Sequence, residues 1–418
     1  MLYEHQKAAL KATAGMNRVA YYHPMGAGKT FTGTEKAMEL GAKILLICQK
    51  SKIRDWIHHF QAETDLSVYD LTKPSDLKDY LTTYDGAGVI NYDLCWRRND
   101  LSSMRGYTLM LDESSLIQND TTKRTMFIMR LKPDNVILLS GTPCNGKYEG
   151  LLPQLQLLGY KESKTAYWNK YINWHLEDFG TGRPHRAVDG YKNVDELKAV
   201  MRSLGCHFLK EEDMIKLPEQ IDTETMVKIP PGYNDMLKHS ICSVGTDTEL
   251  VATNSLTKLL YLRELCGIYC PAKIQAFQDL LSSTDERLIV FYNFKKEREL
   301  LEWCARQSDK PVSHVCGDIH DLTAYEQAEN SVTLIQYQAG AYGLNLQLSN
   351  KIVYFTPPLS SELYEQSRKR THRIGQTRTC WYYKLVCEKS IEEKIYAQLA
   401  VLKDYTMELF EEDSHGRT

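Results

Sequence analysis

The chain has 418 residues, 43% of them hydrophobic and 25% charged, with 51 Lys and Arg set against 54 Asp and Glu. This is the balance of a globular protein of roughly two or three domains, each able to bury its own core, and it excludes an intrinsically disordered chain. No apolar run approaches a bilayer span and the first residues show no signal-peptide pattern, so no membrane association is expected.

In chain order, the first chemistry-bearing segment is His23-Pro24-Met25-Gly26-Ala27-Gly28-Lys29-Thr30, between a predicted strand and a predicted helix at Phe31–Leu40. Glycines there let backbone N–H groups close around a phosphate chain. The Lys29 ammonium can then reach the β- and γ-phosphates, and the Thr30 hydroxyl can ligate Mg²⁺. The helix dipole points its positive end at the same anions. His23 stands where the strict pattern has a glycine.

Apolar runs at Ala42–Cys48, Gly88–Tyr92, Thr108–Leu111 and Val136–Leu139 alternate with helical patterns such as Ile53–Glu63, which predicts a parallel α/β sheet. The third run ends in Asp112-Glu113. At the carboxyl end of a buried strand, Asp112 is placed to hold Mg²⁺ and Glu113 to orient or deprotonate an attacking water. An acidic turn after a core strand is the alternative for the pair alone.

From 161 to 272 the pattern reads as a mainly helical insertion, as in Ser255–Tyr269, so residues 1–160 form the first lobe. A second α/β lobe over 273–418 is predicted from strand runs at Leu288–Phe291, Val312–Val315, Thr333–Gln336, Ile352–Phe355 and Trp381–Val386. It has no glycine-lysine loop. It carries a glycine turn around Gly343, then Gln366-Ser-Arg-Lys-Arg370-Thr-His-Arg373-Ile-Gly-Gln376. On a predicted helix Arg370 and Arg373 share one face, suited to neutralising a γ-phosphate in the transition state. Arg368, Lys369 and Arg378 read instead as a solvated or nucleic-acid-binding basic face. The eleven cysteines are scattered without a Cys-x-x-Cys pair, which suits a reducing compartment.

The order of these segments resembles the Swi/Snf-type branch of superfamily-two helicase-like ATPases, over about residues 2–400. Leu2-Tyr-Glu-His-Gln6 resembles that family's opening glutamine motif, and His23–Thr30 its phosphate loop, which also lacks the first glycine. Ile44–Trp56 resembles the next motif, with Lys50 in place of the usual proline. Asp112-Glu113-Ser114-Ser115 resembles the Asp-Glu-Ala-His box, with serines for the last two residues. Ser140-Gly-Thr142-Pro resembles the coupling motif, Phe208–Pro218 the segment leading to the second lobe, and Gln366–Gln376 the closing arginine motif.

The resemblance implies two RecA-like parallel-sheet lobes with helical insertions, and ATP and Mg²⁺ as cofactors. Gln6 would read adenine, and Met25 to Thr30 would cradle the phosphates. Thr30 and Asp112 would serve the metal, Glu113 the water, and Arg370 and Arg373 the γ-phosphate. Gly343 would line the nucleotide or the DNA. The partner implied is double-stranded DNA, gripped through its phosphates at Ser51, Lys52, Asn91, Thr142, Asn293 and Lys295. The compact form is similar to bacterial and phage members, which implies a cytoplasmic protein. The rival readings are a strand-separating helicase of the same superfamily, a non-hydrolysing ATP-switched DNA clamp, and a small-molecule kinase.

Overall fold

The computed structural model describes residues 2–177, 185–210, 217–244, 248–317, 319–340, 344, 346–373 and 375–410. Two compact units divide the chain, the first comprising residues 1–215 with 402–418 and the second 216–401.

In the first unit the strands are β1 (Arg18–Tyr22), β2 (Lys43–Cys48), β3 (Val68–Asp70), β4 (Gly86–Asn91), β5 (Thr108–Asp112), β6 (Asn135–Ser140), β7 (Ile172–Glu177), β8 (His185–Tyr191) and β9 (Cys206–Phe208). Seven of them form one sheet in the order β3-β4-β2-β5-β6-β1-β9, and every pair in it is parallel. A parallel sheet is covered on both faces, which is why β2 reads Lys-Ile-Leu-Leu-Ile-Cys without polar alternation. Leu45 and Ile47 enter one apolar cluster, whereas Ile44, Leu46 and Cys48 enter another with Trp56 and Phe60. Truncating any one of these buried aliphatics to alanine costs about 2–5 kcal/mol.

The helices of this unit include α1 (Glu4–Ala12), α2 (Lys29–Leu40) and α3 (Ile53–Glu63). β7 and β8 form a separate antiparallel hairpin. Its base is held by Tyr191 stacked on Tyr148 at 4.1 Å, and its far end by the Arg186 guanidinium over Trp174 at 4.5 Å and Trp168 at 5.1 Å.

The second unit contains β10 (Gln220–Val227), β11 (Ile241–Val244), β12 (Thr248–Val251), β13 (Leu288–Tyr292), β14 (Val312–Cys316), β15 (Ile319–Asp321), β16 (Val332–Gln336), β17 (Lys351–Tyr354) and β18 (Cys380–Cys387). Its sheet runs β10-β18-β17-β13-β16-β14-β15. It is parallel except for the β14–β15 pair. Ile289 and Phe291 face one cluster and Leu288, Val290 and Tyr292 the other.

Three sequence expectations do not hold. Residues 161–272 do not form a separate, mainly helical region. That stretch contains six strands, β7 to β12. β9 joins the first sheet beside β1 and β10 joins the second beside β18. The break between units therefore falls between 215 and 216 rather than at 160 and 272. Arg370 and Arg373 do not share a helical face either, because the helix Ser361–Arg368 ends before them. Arg368 is no solvated cation. It is buried, bonded to both carboxylate oxygens of Asp222 at 2.6 and 2.8 Å, and stacked 3.8 Å above the Tyr382 ring. Burial alone would raise the Asp222 carboxyl, yet Arg368 and Lys384 hold it below its ordinary value. This pair fastens β10 to the helix beside it.

Glu297 makes the second unit sensitive to pH. It sits in the first turn of the helix Lys295–Gln307, fully buried. One carboxylate oxygen accepts from Asn293 N at 2.8 Å, Phe294 N at 3.0 Å and the Thr356 hydroxyl at 3.1 Å. Among the described residues Oε1 has no hydrogen-bond partner. Burial pushes the carboxyl from 4.5 up to about 7, although the backbone N–H donors oppose this. The folded protein thus keeps a proton that the unfolded chain releases. Stability from this group is complete below pH 4.5 and is lost as pH rises to about 7. The loss is on the order of a few kcal/mol. Glu297→Gln puts an amide where the unpartnered oxygen lies, so its urea midpoint should fall less than that of the parent between pH 5 and 8. An equal fall in both would remove Glu297 as the cause.

Candidate active site

The phosphate loop leaves β1 and enters α2 through Gly28, which has φ +71° and caps that helix. Only glycine fits: a Cβ at Gly28 would lie 2.3 Å from Gln6 Nε2. Gln6 is buried on α1, donates to Gly28 O at 3.0 Å and Ala27 O at 3.4 Å, and accepts from Tyr3 N at 2.7 Å. The side chain expected to read adenine is here a brace for the loop. His5 Nε2 adds a contact to Ala27 O at 2.9 Å.

Lys29 Nζ donates to the loop's own carbonyls, His23 O at 3.0 Å and Pro24 O at 3.2 Å. A bound phosphate would have to draw the ammonium off these carbonyls. Thr30 lies half-buried in the first turn of α2, and Met25 is half-buried between Pro24 and the exposed Gly26. The departure at His23 has a structural reason. Its ring is fully buried and pairs with His207 Nδ1 on β9 at 2.9 Å, tying the loop to the last strand of the sheet. Burial, then His207 and Lys29, push the His23 imidazole well below its ordinary value, so the pair is neutral.

Strand order explains why the carboxylates come to this loop. β1, β6 and β5 are neighbours, with Tyr22 opposite Ser140 and Leu139 opposite Asp112. The loop, the Ser140–Pro143 turn and Asp112-Glu113 therefore leave the same edge of the sheet within two strand spacings, about 10 Å. Gly141 lies against the ammonium: a Cβ there would be 3.6 Å from Lys29 Nζ.

Burial raises the Asp112 carboxyl, while a hydrogen bond from Trp56 and the charges of Lys29 and Lys52 pull it down. The Trp56 indole N–H donates to Asp112 Oδ2 at 2.8 Å. Glu113 has φ +54°, a left-handed conformation that costs a non-glycine residue about 1–3 kcal/mol and is frequent at functional sites. The buried Tyr92 holds it there, its hydroxyl reaching Asp112 O at 2.9 Å and Glu113 O at 3.4 Å.

Gln154, fully buried, joins three motifs. It accepts from the Ser114 hydroxyl at 2.7 Å and Tyr22 OH at 3.1 Å, and donates to Pro143 O at 2.6 Å. The strand before the loop, the acidic box and the coupling turn are thus linked through one amide, although the box lacks its histidine. Nothing in the sequence marks Tyr92 or Gln154 as functional, and Trp56 is marked only as the last residue of the segment Ile44–Trp56. Only the phase of the helix Leu152–Leu158, which buries Gln154 among leucines, carries a hint.

The other expected site residues fare unevenly. Arg370 is buried and Arg373 half-buried in the turn after Arg368, where burial lowers the Arg373 guanidinium. Gly343 lies outside the described residues. Ser51 and Lys52 are half-buried in the 3₁₀ turn Lys50–Lys52, and Thr142 is half-buried beside Gly141. Lys295 is exposed. Two DNA-contact assignments need correcting. Asn91 is buried at the end of β4. The Asn293 amide is taken up by Thr356 Oγ1 at 2.9 Å and Pro357 O at 3.0 Å, closing the edge of the second sheet. Both asparagines serve strand ends rather than surfaces.

The family model described as SNF2-related domain matches residues 5–267, and that of the helicase conserved C-terminal domain matches residues 272–375. The putative ATP-dependent helicase/translocase YwqA of Bacillus subtilis is 24% identical, over 90% of this chain and 44% of that protein. The DNA annealing helicase and endonuclease ZRANB3 of Mus musculus is 22% identical, over 83% of this chain and 34% of its own length. The chain therefore spans less than half of either relative. The probable global transactivator of Orgyia pseudotsugata multicapsid polyhedrosis virus is 21% identical over 95% of this chain and 89% of that one. The solved Sulfolobus solfataricus SWI2/SNF2 ATPase core in complex with dsDNA shares 18% identity at a TM-score of 0.45, covering 96% of this chain and 91% of that one. With well over half of its residues matched by that family's model, the chain belongs to the SNF2-related domain family.

Proposed function

We propose that this protein is a DNA-dependent ATPase that couples ATP hydrolysis to movement along double-stranded DNA. The observation that carries the reading is the convergence of the phosphate loop, Asp112-Glu113 and the Ser140–Pro143 turn at one sheet edge. A kinase or a non-hydrolysing clamp needs the loop, but not an acidic box whose next residue, Ser114, is joined to a coupling turn through a buried amide.

The Thr30 hydroxyl and Asp112 carboxylate form an oxygen donor set suited to Mg²⁺. When bound, the ion would neutralise charge on the β- and γ-phosphates. Lys29 would exchange the loop carbonyls for phosphate oxygens, and Glu113 would orient and deprotonate the water. Arg370 and Arg373 would supply positive charge to the transferred phosphoryl group. Ser51, Lys52, Thr142 and Lys295 remain the candidates for phosphate contacts. Names among the relatives, an ATP-dependent helicase/translocase and a DNA annealing helicase, support a nucleic-acid motor.

The strand-separating alternative draws on one feature, the β7–β8 hairpin outside the main sheet, since a separating pin is a short hairpin. ATP turnover measured without nucleic acid, then with duplex DNA, single-stranded DNA and RNA, tests the proposal. Strong stimulation by duplex is expected. Stimulation by RNA alone would overturn it.

A further inference from the structure

α3 touches both the loop helix and the acidic box. Trp56 is buried, its ring packed against the fully buried Phe60 at 5.5 Å, and its N–H donates to Asp112 Oδ2 at 2.8 Å. One turn away His59 Nε2 pairs with the Thr34 hydroxyl of α2 at 3.0 Å. The His59 ring also stands edge-on to Phe31 of α2 at 4.8 Å and to Trp56 at 5.7 Å. α3 is thereby fixed to the helix that begins with Lys29 and Thr30, as well as to the carboxylate.

The start of α3, one turn before Trp56, leads towards the exposed Lys50. It follows the Lys50–Lys52 turn with no residue between, and Lys52 is its N-cap. The Lys52 ammonium bonds Asp55, in the first turn of α3, at 2.8 Å. A phosphate arriving at this turn would compete with Asp55 for that ammonium, loading the helix at its start. Trp56 is the next residue.

We propose that Trp56 is a positioning residue for Asp112, through which a nucleic-acid phosphate at the Lys50–Lys52 turn adjusts the metal-binding carboxylate. The proposal rests on the reading of Asp112 as a metal ligand. A carboxylate's last torsion is broad and two-fold, so the Trp56 N–H, beside the Glu113 backbone N–H, sets the plane in which the oxygens are presented to the metal. Partners that orient a metal ligand in this way are typically worth 10- to 100-fold in metal affinity. A buried indole that had merely found an acceptor would leave that affinity unchanged.

Trp56→Phe keeps the ring packing and removes the donor. With a non-hydrolysable ATP analogue bound, free Mn²⁺ read by electron paramagnetic resonance should show affinity at least about 10-fold weaker than in the parent. Affinity for the analogue without metal should be unchanged. Equal Mn²⁺ affinity in the two proteins overturns the positioning role. A second readout uses the parent chain carrying ¹⁵N-tryptophan, so it does not depend on how the variant folds. The Trp56 indole signal, identified by its loss in Trp56→Phe, should shift when a short duplex is added, and should shift less in Lys52→Ala. A signal unmoved by DNA, with binding verified by fluorescence anisotropy, overturns the transmission. A parent protein that takes up no Mn²⁺ with the analogue would refute the underlying assignment of Asp112 instead.

Discussion

Lys29→Ala is expected to lower ATP turnover by about 10³-fold or more, because it removes a charge aimed at the phosphates where negative charge develops. The fold should persist. Lys29 is half-buried at the start of α2, and the bonds it makes to His23 O and Pro24 O are to carbonyls of the loop rather than to the core. Alanine is also the best helix former, so α2 loses nothing at its first residue. Urea unfolding should therefore shift by no more than about 1 kcal/mol. Near-normal DNA-stimulated turnover in this variant would show that the loop does not hold the reacting phosphates.

Glu113→Gln separates binding from chemistry. The side chain keeps its size and the backbone can keep φ +54°, because Tyr92 holds the carbonyls of Asp112 and Glu113 rather than the Glu113 carboxylate. What disappears is the capacity to take a proton from water. Loss of a general base typically costs about 10²–10⁴-fold, so turnover should fall within that range while ATP affinity stays close to that of the parent. Affinity that collapsed together with the rate would assign Glu113 a structural role.

The parts of this fold that are legible in sequence are those where one interaction dominates. Short continuous apolar runs bounded by turn residues, such as Ile44–Cys48, suit a strand covered on both faces, and the structure places them so. The strands that escape sequence reading lack that signal. β10 reads Gln-Ile-Asp-Thr-Glu-Thr-Met-Val, an edge strand whose polar residues face water, and β9 has only three residues. They are joined by tertiary contacts, Arg368 with Asp222 and His23 with His207, that link positions far apart in the chain.

The same division holds at the site. Residues that chemistry places next to a phosphate announce themselves by type and spacing. The residues that orient them do not, because an indole, a phenol or an amide in a buried helix looks like ordinary core. Trp56, Tyr92 and Gln154 become visible only once their donors meet Asp112, Glu113 and Pro143. Arg370 and Arg373 illustrate the opposite error. Their spacing suggests a shared helical face, but the chain leaves the helix at Arg368, so their common role rests on charge alone.

Displacement of a third strand tests most directly whether the protein moves along duplex DNA, driven by ATP, without parting the strands. A triplex-forming oligonucleotide annealed in the groove of a longer duplex should be released only when ATP is present. Lys29→Ala should not release it, and a forked duplex under the same conditions should stay paired. Grip through phosphates predicts that binding weakens steeply with salt and shows little sequence preference. Efficient opening of the fork, or a third strand that stays in place while duplex-stimulated ATP turnover proceeds, would overturn movement along duplex without unwinding.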